Sequence, residues 1–141
     1  MKHFSYLLLF IGMFIFLRCS HVSSLELTNE EKTYIEKVKQ FPIEFNVSKA
    51  DINDAWARAQ SFLGKYCTQK IKTISDYIIQ TDDKHNDGFY YNIVKTINND
   101  DYILSIQCTG GKGDDRDLNE HIMAYYVKTG ELPYPRLIKI V

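Results

Sequence analysis

The chain has 141 residues, 45 % of them apolar and 25 % charged, with a formal net charge of −1. That length holds one domain and a targeting segment at most, and the composition argues against wholesale disorder. Without residues 1–18, which carry Lys2 and Arg18 and no acid, 15 basic side chains face 18 acidic ones, a net of −3. Sequence-independent nucleic-acid binding needs clustered Lys and Arg against phosphate, so no nucleic-acid partner is expected.

Lys2 and His3 precede an uncharged run from Phe4 to Leu17, broken only by Ser5 and Gly12. As a helix, this run would reach about 21 Å, short of the roughly 30 Å hydrocarbon core. A basic start followed by a short apolar run predicts a secretory signal peptide, with an uncleaved membrane segment as the alternative. At its exit, Phe16-Leu17-Arg18-Cys19 resembles the lipobox of bacterial lipoproteins. The resemblance implies that Cys19 is acylated and becomes the mature N-terminus, with Ser20-His21-Val22-Ser23-Ser24 as a polar tether. Two positions depart from that pattern. Arg18 stands where the lipobox carries Gly, Ala or Ser, and Leu17 falls one position later than the usual leucine. The competing cut, by the general signal peptidase, lies after Ser24, with Val22 and Ser24 in the small-residue positions. The expected organisation is a signal peptide or membrane segment over 1–18, a tether over 19–27 and one domain over 28–141. Its expected location is the cell envelope, membrane-anchored, or else the periplasm or the exterior.

The domain opens with Thr28 and, three residues on, Glu31, a capping box. Tyr34, Ile35 and Val38 form a stripe, so a helix is predicted over Asn29–Gln40, ending before Pro42. Ile43, Phe45 and Val47 alternate with polar residues, as in a brief strand. Ser48 is the expected N-cap of the main helix, whose apolar stripe is Ile52, Ala55, Trp56, Ala59, Phe62, Leu63 and Tyr66.

Three strands are expected next: Lys70–Thr81, central or bulged near Ser75 and Asp76, then Phe89–Ile97 and Tyr102–Cys108. Asp87-Gly88 and Asn98-Asn99-Asp100 supply hairpin turns. Phe89, Tyr91, Ile93 and Ile97, with Tyr102, Leu104, Ile106 and Cys108, form the faces expected against the helices. Gly110-Gly111-Lys112-Gly113 reads as a flexible connector. Asp117 and Glu120 cap a last helix over Leu118–Thr129, which Gly130 closes, and Leu137–Val141 is apolar enough for a final strand.

This order predicts an α+β domain: an antiparallel three- to five-stranded sheet with helices packed on one face, after an N-terminal signal segment. Asp54-Ala55-Trp56 gives the chain a resemblance to the helix-grip domains of some envelope lipoproteins, in which a strand and an Ala-Trp-bearing helix precede a meander. Fold alone does not set function.

No catalytic motif stands out, so no enzymatic activity, no cofactor and no metal are expected. The hairpin Asp82–Gly88 compares poorly with a calcium loop, because His85 is a poor ligand for a hard cation and Val94 occupies the closing position. In a meander this hairpin shares one end of the sheet with Asp114, Asp115 and Asp117, forming an acidic rim. His121 reads as a surface or cap-region histidine. Cys67 and Cys108 would lie roughly 20 Å apart along the third strand, where a disulfide needs Cα atoms within about 7 Å, so both should be free thiols. The function expected is a non-enzymatic module that binds another protein and is held to the membrane through lipid on Cys19 or through the N-terminal segment. The alternative is a secreted or periplasmic protein binding a small apolar ligand in a cleft lined by Trp56, Tyr125 and Tyr126.

Overall fold

A computed structural model describes residues 26–82 and 88–139. The leader, Cys19, the tether up to Leu25, and residues 83–87 and 140–141 lie outside the described residues. Helix α1 (Asn29–Lys39) begins with the expected capping box. The Thr28 N–H donates to Glu31 Oε2 at 2.9 Å, and the Glu31 N–H donates to Thr28 Oγ1 at 3.2 Å. Strand β1 (Glu44–Val47) follows Pro42, and helix α2 (Ile52–Tyr66) follows β1. Ser48 caps the turn ahead of α2 rather than the helix proper: its Oγ accepts from the Asp51 N–H at 3.2 Å, and its carbonyl accepts from the Ile52 N–H at 3.1 Å.

The single strand expected over Lys70–Thr81 is instead a hairpin of β2 (Ile71–Ile74) and β3 (Ile78–Thr81). Ser75 makes the reversal. Its N–H donates to the Ile78 carbonyl at 2.9 Å, while its Oγ accepts from the Tyr77 and Ile78 N–H groups at 3.3 and 3.1 Å, the serine turn that competes with a continuing strand. A register shift between Ile71 and Thr73 leaves Lys72 as the extra residue. Isoleucines on both parities of one segment are therefore explained by a fold-back and a bulge, not by a strand buried on both faces.

Strands β4 (Phe89–Asn98) and β5 (Asp101–Gly110) pair over their whole length, joined by a two-residue turn in which Asn99 takes φ 54°, the left-handed region that Asn tolerates. The sheet runs β1-β5-β4-β3-β2, antiparallel throughout. Gly110 and Gly111 then reverse the chain at φ 79° and 55°. Helix α3 spans Gly113–Thr129. It starts five residues earlier than Leu118, so the glycine stretch is a tight turn and not a long connector. Gly130, at φ 80°, ends it as expected. Of the last strand expected over Leu137–Val141, Leu137 ends a 3-10 turn (Pro135–Leu137) and Ile138 and Lys139 follow it outside any strand, while residues 140–141 lie outside the described residues. Asn119 holds Lys139: its Nδ2 donates to the Lys139 carbonyl at 2.8 Å and its Oδ1 accepts from the Lys139 N–H at 2.9 Å, occupying the backbone groups a strand would have paired.

The result is an α+β fold with one buried sheet face. Phe45, Val47, Ile79, Phe89, Tyr91, Ile93, Leu104, Ile106 and Cys108 lie in one core with Ala55, Trp56, Ala59, Phe62 and Leu63 of α2 and Leu118, Ile122, Met123 and Tyr125 of α3. Burying each Val, Leu, Ile, Phe or Met side chain among them contributes about 1.5–3 kcal/mol. Helix α1 packs on α3 through Tyr34, whose ring meets Tyr125 edge-on with centroids 6.0 Å apart. On the opposite sheet face Tyr90, Asn92 and Val94 are half-buried and Gln107 and Thr109 exposed.

Candidate functional site

The expected aromatic site residues are in three separate surroundings. Trp56, on the first turns of α2, is 9 % exposed. Tyr125 is a core residue of α3. Its ring stands edge-on to Tyr34 and Phe41, and its hydroxyl donates to Glu131 Oε2 at 2.7 Å. Tyr126, one position on, turns toward α2 and tilts against Phe62 with centroids 6.0 Å apart. Among the described residues these contacts are those of packing, and the three rings share no common partner. Cys19 lies outside the described residues.

His121 fixes a chain reversal: its Nδ1 is 2.9 Å from the Phe41 carbonyl, at the end of α1. Asp114 and Asp115 occupy the first turn of α3, where the helix dipole favours them, and Asp117 accepts from Arg116 Nε at 3.1 Å. The Asp82 side of the hairpin does share a sheet end with this turn, since Phe89 pairs with Gly110. Among the described residues no group of side chains could hold a metal ion.

A different region stands out on the core side of the sheet. It lies at the end of the sheet near the Asn98–Asp101 turn. Ile97, expected to face a helix, is 60 % exposed there, and Ile74 and Tyr77 are 55 % and 52 % exposed. Tyr77 is held beside the strip by its carbonyl, which accepts from the Lys95 N–H at 2.8 Å.

Lys95 sits at the centre. Its ammonium is 4.7 Å from the Trp56 ring centroid and 5.7 Å from those of Tyr77 and Tyr102. Three aromatic faces around one cation constitute a cation–π cage, and Lys95 takes part in none of the ion pairs found among the described residues. The arrangement combines an exposed apolar strip, an aromatic wall and one positive charge that, among the described residues, forms no ion pair with a carboxylate. No catalytic nucleophile or general base lies within that set. Contiguous exposed apolar surface of this kind is what interaction sites carry. Sequence patterning places Ile97 in the core by parity and Ile74 on one face of a single long strand, and it singles out neither Tyr77 nor Lys95.

No family model, no curated protein and no solved structure matches the chain. Among the described residues no helix is long and apolar enough to cross a membrane.

Proposed function

We propose that this chain is a non-enzymatic protein-binding module, exported to the cell envelope and held at a membrane by lipid on Cys19. The observation that supports binding is the exposed strip Ile74, Tyr77 and Ile97 around the caged Lys95. A partner segment that is apolar and carries one carboxylate matches it, covering the isoleucines and tyrosine while its charge meets the ammonium. Anchoring rests on the resemblance at Phe16-Leu17-Arg18-Cys19.

Two measurements test the two halves. Cross-linking from Ile97 in the full chain on membranes should trap a protein, and Ile97→Asp should abolish that product while the melting transition is kept. An equal yield with Ile97→Asp would rule the strip out. The mass of the membrane-extracted protein should show diacylglycerol on Cys19, and a mature chain beginning at Leu25 would overturn the anchor.

A further inference from the structure

The opposite face of the sheet carries a cavity of about 160 Å³. Its floor is a rung of three amide side chains on neighbouring strands. Gln80 of β3 pairs with Asn92 of β4, and Asn92 pairs with Gln107 of β5. Such a rung spans about 10 Å across three strands. On the next rung of the same face Tyr90 pairs with Thr109, and Lys72 enters from the bulge on β2, the one charged side chain lining the cavity among the described residues. The Tyr90 ring is seated against Gly110, where an added Cβ would stand 2.7 Å from Tyr90 Cε2.

Asn92 gives the cavity its chemistry. Its Oδ1 is buried, and among the described residues nothing donates a hydrogen bond to it. An unmet buried acceptor carries a desolvation penalty, which a donating ligand relieves once the Asn92 amide turns outward to meet it. Sulfate or a bare carboxylate has only acceptors to offer, and phosphate, with at most two hydroxyls among its acceptors and no C–H face for Tyr90, matches this row of amides poorly. A hydroxyl both donates and accepts, so it suits Asn92, and further hydroxyls suit the amides of Gln80 and Gln107, which also do both. Tyr90 adds an apolar face for C–H groups, and Lys72 a cation for one acid group.

From this geometry we infer a binding site for an acidic sugar, a single pyranose unit bearing a carboxylate, on the face of the sheet opposite the apolar strip. The sugar hydroxyls lie along Gln80, Asn92 and Gln107, a hydroxyl donates to Asn92 Oδ1, and the carboxylate pairs with Lys72. This inference is independent of the protein-binding reading, because Ile97 and the cavity are on different faces.

The test is a titration of nitrogen-labelled full chain in detergent with glucuronate, and in parallel with glucose and with inorganic phosphate. Glucuronate at millimolar concentration should move the side-chain amide signals of Asn92 and Gln107, glucose should bind several-fold more weakly, and phosphate should leave them in place. Asn92→Ala should abolish the response. Gln107→Ala, at an exposed position, should weaken it, as should Lys72→Gln. Unmoved amide signals at saturating glucuronate would overturn the site, as would an unchanged affinity in both Asn92→Ala and Gln107→Ala. Glucose binding as tightly as glucuronate, or phosphate shifting the same signals, would overturn the acidic-sugar assignment. Ile97→Asp should leave the titration unaltered.

Discussion

Glu31 and Arg136, 105 positions apart, are joined by two parallel hydrogen bonds, Arg136 Nε donating to Glu31 Oε1 and Nη2 to Oε2. The Glu31 carboxylate is also half of the capping box of α1, and the residue is only 2 % exposed. One buried carboxylate thus holds both the start of the first helix and the segment that follows the last one. Such a group stabilises only while all its partners are present, because removing one leaves charge buried without compensation.

The first prediction follows from that pair. The Arg136 guanidinium, and after it the Thr28 N–H, hold the Glu31 carboxyl below the usual carboxylate range. A folded value below the unfolded one means that the stabilisation is complete above the ordinary carboxylate value and is lost as pH falls through the depressed one. Urea midpoints of the wild type should therefore drop in acid, and those of Glu31→Gln should be lower at neutral pH with a flatter acid limb. Parallel acid limbs for the two proteins would show that the pair carries no pH dependence.

Much of this architecture can be read in the residues because local chemistry agrees with the global fold there. The Thr28/Glu31 box, the stripe from Ile52 to Leu63, the Asn99 turn and the Gly130 stop each act over a few residues, and each is where the pattern places it. What escaped has non-local causes. The fold-back at Ser75 depends on β3 finding β4, and the bulge at Lys72 inverts the face of the residues beyond it. Ile97 has the parity of a core residue, yet it lies in the rung next to the Asn98–Asp101 turn and is left bare. The amide rung belongs to three strands whose order no single strand specifies.

Trp56 lies under Lys95 at the edge of the core. Truncating it opens a large void, so Trp56→Ala should cost about 3–5 kcal/mol, read by circular dichroism because this is the one tryptophan of the chain. Lys95→Ala should cost only about 0.5–1 kcal/mol, with the Trp56 emission moving to the red as the ring meets water. A Trp56→Ala protein as stable as the wild type would mean that the ring serves an interface and not the core.

Gly111 turns the chain from β5 into α3 at φ 55°, and a Cβ there would stand 2.2 Å from Phe89 Cε1. Both the backbone and the buried ring oppose a side chain at this position. Gly111→Ala should therefore cost more than about 1 kcal/mol, measured by urea unfolding, whereas a flexible connector would accept the methyl group without loss.

The last prediction concerns the two cysteines. The spacing expected between them does not hold. The hairpin at Ser75 carries the chain back, so Cys67 lies not beside the Asn98–Asp101 turn but at the other end of β4, its thiol donating to the Phe89 carbonyl at 3.6 Å. Cys108 pairs with Tyr91, two residues along from Phe89, so the two cysteines share one end of the sheet. Both are nonetheless free thiols, Cys67 half-buried and Cys108 in the core. Burial raises the Cys67 thiol and pushes Cys108 up to about 12. A folded value above the unfolded one means that the stabilisation is complete below the ordinary thiol value and is lost as pH rises toward about 12. Because the thiolate is the reactive form, an aromatic disulfide reagent at mildly alkaline pH should label the folded protein slowly, Cys67 ahead of Cys108. In denaturant without reductant, both should react at once. Finding no reactive thiol beyond Cys19 after unfolding would show the two to be bonded, and this end of the sheet would then have to close further than the separate thiols require.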